Sequence, residues 1–346
     1  MKIIPILIIS SVSFLSYAKP QMPEVLVNHD DVIWGFDFLK DGRIIFTERS
    51  GKLFVVDPKT KKEIAITGLP KVYAVGQGGL LDVRVHPSNG FIYLTYSEPV
   101  GEKATTAFAR AKLQDNKLVE FKKLFSAHEP NDNDIHFGSR IEFDGKGHIF
   151  VTVGDRDNRE RAQDLKYHQG KILRFNEDGT VPKDNPFAST KDAKPEIWSM
   201  GHRSPQGLAM NPETKELWEA EMGPRGGDEI NLIKKGANYG WPVVTTGREY
   251  YGPKIGEGST KTGMENPVEH WVPSISPSAM TFWNKDIYLA TLSGQHLHRL
   301  EMKDNKVIKQ EELYKNLDWR FRNVRPGPDG KLYFSTDEGK LGRISQ

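Results

Sequence analysis

The chain contains no cysteine. That excludes disulfides, thiolate metal ligands, a cysteine nucleophile and a lipid anchor on an N-terminal Cys. An excess of one charge is also missing, with 48 Lys and Arg against 46 Asp and Glu and a formal net charge of +2. So balanced a chain offers no basic face to nucleic acid. Helical periodicity is not sustained over any useful window; Arg159 to Lys166 is the best short candidate. Beyond the N-terminus no apolar run approaches the ~20 residues of a membrane-spanning helix. The Gly-x-Ser-x-Gly elbow, the His-Glu-x-x-His pair and the P-loop do not occur, which removes serine hydrolase, zincin and nucleotide-binding readings.

What the N-terminus does hold is Met1-Lys2, an apolar run from Ile3 to Leu15, and Ser16-Tyr17-Ala18. A charged start, a short apolar stretch and a small-x-small site form the pattern of a secretory leader. Cleavage is expected after Ala18, leaving residues 19–346 as a single periplasmic or secreted domain. A chain of this size buries a large core without covalent staples.

The expected mature chain repeats itself. Alternating apolar strands joined by Asp-Gly, Asn-Gly or Asn-Pro turns begin at Gly35, Leu81, Ile141, Leu208, Met280 and Val324. Six such units, none able to bury both faces of its own sheet, predict an all-β fold, a six-bladed β-propeller. A sandwich or a pair of barrels is the alternative. An early strand near Glu24 to Val27 is expected to join the last blade and close the ring. The longer inserts, Asn176 to Lys194 and Thr245 to Val272, are expected as loops decorating one end.

Chemistry concentrates between Glu196 and Trp241, where Gly201-His202-Arg203-Ser204 precedes the Gly223-Pro224 turn and the Asp228-Glu229 pair. Carboxylates and free carbonyls beside a turn suit calcium, which takes six to eight oxygen ligands in flexible geometry. Earlier in the chain, Gln77 offers an amide among glycines, and His136 is either a general base or a hydrogen-bonded structural histidine. Asp155 ends a strand of the same unit and is placed to orient it. Arg320 and Arg322 share one face of an extended segment, facing solvent or gripping carboxylates of a polyanionic ligand. Together these residues describe a cation-assisted site for a ligand with several carboxylates, such as a quinone cofactor.

The chain resembles the soluble pyrroloquinoline quinone (PQQ)-dependent dehydrogenases, the aldose sugar dehydrogenase branch of the glucose/sorbosone dehydrogenase family. The resemblance rests on Gly76-Gln77-Gly78-Gly79-Leu80-Leu81-Asp82, His136-Phe137-Gly138-Ser139-Arg140, Val153-Gly154-Asp155-Arg156, and His168-Gln169-Gly170-Lys171. It continues through Gly201-His202-Arg203-Ser204-Pro205-Gln206-Gly207 and from Glu221-Met222-Gly223-Pro224 to Asn238-Tyr239-Gly240-Trp241-Pro242. It implies a propeller with the quinone in an axial cleft, held by calcium on the carbonyls of Gly223 and Pro224. Gln77, Arg203, Ser204, Arg320 and Arg322 match cofactor-contacting positions. His136 matches the base for the sugar C1 hydroxyl, Asp155 its orienting carboxylate, and Arg203 a stabiliser of the developing oxyanion, while hydride passes to the quinone. Glu229 and the Tyr239 carbonyl match a structural calcium site, with Asp228 beside it.

Two positions depart from the pattern. Ser204 stands where glucose dehydrogenase members have Asn, and Ser293 where they have a cofactor-contacting Lys. Loss of that cation is expected to weaken cofactor binding by roughly 1–3 kcal/mol. The function expected is oxidation of an aldose to its lactone, passing electrons to an acceptor the sequence does not name. A monomer or homodimer is expected, with neither nucleic acid nor a membrane span. A calcium-dependent lactonase and a non-catalytic sugar-binding propeller are the alternatives.

Overall fold

A computed structural model describes residues 22–344, and the leader expected at residues 1–18 falls outside them. Each predicted repeat forms a hairpin: Phe36 pairs with Phe46 across a turn in which Gly42 takes φ +85°, a conformation that costs a residue without Cβ little. Four antiparallel strands make each blade. The first five blades span 33–66, 80–126, 141–200, 205–271 and 277–313. The sixth combines the strands within 321–344 with Glu24–Asn28, which pairs with Lys340–Ile344 and closes the six-bladed propeller. Among the described residues helix is limited to two 3₁₀ turns, Arg159–Gln163 and Lys315–Leu317.

The core is divided among the seams between blades. Ile45, Leu53 and Val55 of the first blade meet Leu80, Val83 and Leu94 of the second, and comparable clusters fill the other seams. Hydroxyls sew the inner ring. Thr47, Thr95, Thr152 and Ser335, each on a second strand, donate to carbonyls of Leu81, Ser139, Pro205 and Ile33 on or just before the next blade's innermost strand. At the axis Arg140 reaches three other blades, bonding Asp82 at 3.1 Å and the carbonyls of Gln206 and Ser278 at 2.9 and 2.8 Å. Such a buried guanidinium fixes orientation across the ring because each of these bonds is directional.

All innermost strands run the same way, so their leading loops gather at one end. Those loops carry Gln77, His136, Arg203 and Arg320. The turns after the second strands return there with Asp155, Gly223, Ser293 and Asp337. The two long inserts do not share an end, contrary to the expectation. Glu177 begins the first at the far end of the sheets, bonded to His86 and Asn89. The second climbs back, so that Gly247 packs against Gly227 and Pro224 beside the site loops.

Candidate active site

His136 takes φ +52° and Ser139 φ +76°, in a loop where a Cβ on Gly138 would meet the Gly154 nitrogen at 2.8 Å. Left-handed backbone at non-glycine residues is costly and persists where surrounding structure enforces it. Here the enforcement comes from Gln77, whose Oε1 accepts the His136 N–H at 2.8 Å while its own N–H donates to the Asp134 carbonyl at 2.7 Å. The imidazole Nδ1 lies 2.7 Å from Asp155 Oδ1, and Asp155 Oδ2 accepts from Trp241 Nε1 at 2.8 Å. With Nδ1 committed to a carboxylate, the neutral ring carries its proton there and keeps Nε2 as the basic lone pair. Burial pushes the Asp155 carboxyl up, but the His136 bond and the charges of His136 and Arg203 outweigh it and hold the group below its ordinary value.

Around the axial mouth lies a cavity of about 250 Å³ whose wall includes Trp34, Arg49, Gln77, Met222, Arg320, Arg322 and Asp337. Three arginines face one carboxylate. Asp337 divides itself between two of them, accepting from Arg322 at 2.7 and 3.0 Å and from Arg320 at 3.1 Å. Burial raises the Asp337 carboxyl, and the two guanidiniums more than compensate, leaving it below the usual carboxylate range. The structure therefore brings Gln77, Arg320 and Arg322 to one wall. Neither Arg49 nor Asp337 was anticipated.

Arg203 Nη1 donates to the carbonyls of Met222 at 3.0 Å and Gly223 at 2.8 Å. Its backbone N–H donates to Glu221 at 2.6 Å, and its guanidinium lies 5.5 Å from the centre of the Trp241 ring. The Gly223 carbonyl thus already faces a positive group, and Pro224 is buried beside Gly247. Ser204 was expected to contact the cofactor. It is buried, its carbonyl accepts from the Met222 N–H, and Gln206 and Met222 rather than Ser204 form the wall at this point. Ser293 bonds the Ser276 hydroxyl at 2.8 Å and the Ser274 carbonyl at 3.1 Å, steadying its loop.

The acidic pair separates. Asp228 was expected beside an ion, yet its oxygens accept the N–H groups of Gly223, Ile275 and Ser276 and the Ser274 hydroxyl. A short carboxylate next to two tight turns finds backbone donors before any ligand, and this one clasps them together. Glu229 instead shares a small chamber of about 10 Å³ with Glu221, Gly223 and Tyr239, room for one ion or water. Behind it His202, Glu219 and Glu221 each offer a ligand atom within 4.8 Å of the others. The Tyr239 ring stacks on His202 at 4.9 Å. Burial first, then the charge of Glu221, drives both Glu219 and Glu229 well above the ordinary carboxylate value. Such a cluster favours a cation, which relieves the repulsion without adding protons. Neither Glu219 nor Glu221 is among the metal ligands expected from the sequence. Their spacing of two on one strand, which places both on one face, was the available signal.

The family model described as Glucose / Sorbosone dehydrogenase matches residues 30–345. The aldose sugar dehydrogenase YliI of Escherichia coli (strain K12) is 39% identical over 363 residues, covering 99% of this chain and 97% of the relative. The apo-form crystal structure of the soluble aldose sugar dehydrogenase (Asd) from Escherichia coli is similar at TM-score 0.90 and 39% identity, covering 93% of this chain and 98% of that one. The PQQ-bound aldose sugar dehydrogenase (Adh) from Streptomyces coelicolor is similar at TM-score 0.80 and 26% identity, covering 93% and 96%.

Proposed function

The chain belongs to the glucose/sorbosone dehydrogenase family, and from that premise we propose that it oxidises aldose sugars at the C1 hydroxyl to the lactone, using calcium-held pyrroloquinoline quinone. The observation that carries this reading is the His136–Asp155 pair beside an arginine-walled axial cavity. A carbohydrate hydroxyl is a weak acid, and its oxidation needs a base whose free nitrogen is basic near neutral pH.

The wall residues fit the cofactor. Arg49, Arg320 and Arg322 against Asp337 leave a surplus of positive charge facing the cavity, as a ligand with several carboxylates requires. Gln77, Arg320 and Arg322 would hold it. The Met222 and Gly223 carbonyls converge on a guanidinium, so this turn presents oxygen to positive charge, and Gly223 with Pro224 would hold calcium. When bound, the quinone supplies the carbonyl carbon that accepts hydride, and calcium the Lewis acid that polarises that carbonyl. His136 Nε2 takes the C1 hydroxyl proton. Asp155 stabilises the resulting imidazolium and holds the ring in its productive tautomer. Arg203 presents N–H groups to negative charge developing in the site. A second calcium among Glu229, Glu221 and the Tyr239 carbonyl would be structural. The proposal includes export through the leader at residues 1–18.

The test is reconstitution of the apo-protein with pyrroloquinoline quinone and calcium, followed by aldose oxidation with an artificial electron acceptor. Quinone absorbance on the protein and turnover on at least one aldose are expected. Neither appearing across a panel of aldoses overturns the reading. A lactonase would need unpaired acidic and amide ligands on the axis. The carboxylates of Asp37, Asp82 and Glu142 there are each bonded to Arg84 or Arg140.

A further inference from the structure

Lysine is almost never fully buried without an acidic partner, because desolvating an ammonium costs several kcal/mol. Lys171 is buried completely, and its Nζ meets no carboxylate. It donates to three backbone carbonyls instead: Arg161 at 2.7 Å, Gln169 at 2.8 Å and Ala162 at 3.0 Å. Three acceptors saturate the ammonium. Two of them belong to the 3₁₀ turn Arg159–Gln163, which has no side-chain cap of its own.

That turn carries the wall behind the base. The Ala162 carbonyl also accepts the Gly201 N–H at 3.0 Å, and the Gly201 carbonyl accepts from Trp241 N at 2.9 Å. The next residue, Gln163, bonds the Trp241 carbonyl at 2.7 Å and exchanges two bonds with Asn238. Arg159, at the start of the turn, reaches Glu249 at 2.6 Å and lies 5.6 Å from the Trp241 ring centre. Trp241 Nε1 in turn donates to Asp155, which orients His136. An unbroken run of hydrogen bonds leads from the Lys171 ammonium to the imidazole.

We propose that Lys171 is a positioning residue for His136, its ammonium fixing the Arg159–Gln163 turn on which Trp241, and through it Asp155, is held. Burial draws the ammonium down to about 7, Asp164 opposing with its negative charge. His168, whose own ring burial pushes down, feels the Lys171 charge. The turn is therefore secured by a proton at acidic pH and loosened as the pH rises through about 7. Arginine at 171 would keep a charge at every accessible pH.

The role rests on His136 being the base, so the test has a readout independent of turnover. In apo-protein labelled with ¹⁵N-histidine, the Nδ1–H resonance of the His136–Asp155 bond is followed from pH 5.5 to 9 in wild type, Lys171→Met and Lys171→Arg. In wild type the signal is expected to broaden above pH 7, and in Lys171→Arg to stay sharp throughout. In Lys171→Met it should be broad at every pH, with kcat of the reconstituted enzyme down about tenfold to a hundredfold and KM little changed, as for a base held out of register. A folded Lys171→Met with a sharp signal overturns the proposal. If Lys171→Met does not fold, a wild-type signal unaltered across the pH range overturns it equally. An altered signal without sugar oxidation in any form would leave the positioning role standing and remove only the dehydrogenase reading.

Discussion

Asp155 is gripped on both carboxylate oxygens, Oδ1 accepting from His136 Nδ1 at 2.7 Å and Oδ2 from Trp241 Nε1 at 2.8 Å. With the Asp157 N–H also donating to Oδ1 at 2.9 Å, three fixed donors leave the carboxylate one orientation, and through it the imidazole has one tautomer. His136→Gln is expected to lower turnover by at least about a hundredfold, the low end for acid–base catalysis. Asp155→Asn should do the same while preserving the fold, because an amide turned with its NH₂ toward Nδ1 favours the wrong tautomer. Quinone binding, measured by quenching of tryptophan fluorescence, should change little in either variant. Turnover unchanged in His136→Gln removes it as the base.

Arg322 is held by two bonds to Asp337, so its direction is set before any ligand arrives. Arg322→Ala is expected to weaken quinone binding by about 1.5–3 kcal/mol, the range for a charged hydrogen bond, or roughly tenfold or more in affinity. Lys at this position should not restore it, since one ammonium cannot meet both the Asp337 carboxylate and a ligand carboxylate in a fixed plane. Titration of the apo-protein with quinone in excess calcium measures both. Equal affinities across the three proteins would detach Arg322 from the cofactor.

Much of this architecture was legible in the sequence. Period-two strands and Gly turns specify hairpins locally, so six units predicted six blades, and even the closing strand at Glu24–Asn28 was visible as a run left over before the first unit. His136, Asp155, Gln77, Arg320 and Arg322 were legible because their positions within the repeat bring them to one end. What escaped depended on three-dimensional competition for partners. Asp228 looks like a ligand until four donors are seen on it, three of them from residues 274–276 far along the chain. Lys171 looks like a surface residue flanking a strand until its three carbonyls appear. Asp337 and Asp155 both follow the second strand of their blades, and superimposing the repeats would have exposed the equivalence.

Ring closure depends on a short edge. Leu26 and Val27 are buried in the seam between the sixth and first blades, and the strand carrying them is separated from its partners by nearly the whole chain. Leu26→Ala is expected to cost about 2–5 kcal/mol in urea unfolding, as for a core leucine. Substitution at exposed Lys103, in a hairpin remote from this seam, should be nearly neutral. A Leu26→Ala midpoint equal to that of wild type would mean that the ring is held shut without this strand.

The acid cluster is expected to give the protein opposite pH responses with and without calcium. Glu219 and Glu229 have folded-state values raised well above 4.5 by burial and by Glu221. A carboxyl whose folded value is raised binds more protons folded than unfolded. Its contribution is fully present below about pH 4.5 and is lost as pH rises through the folded value. Calcium-free protein should therefore lose stability as the pH rises from about 4.5 through the raised folded values. Saturating calcium replaces the protons, binds only the ionised cluster and should reverse the slope, since an ion that binds the native state alone adds RT ln(1 + [L]/Kd). Thermal midpoints across this range, in chelator and in calcium, test it. Glu221→Gln should flatten the calcium-free slope, because the charge that raises its two neighbours is gone. Parallel curves in chelator and calcium would show that no ion occupies this chamber.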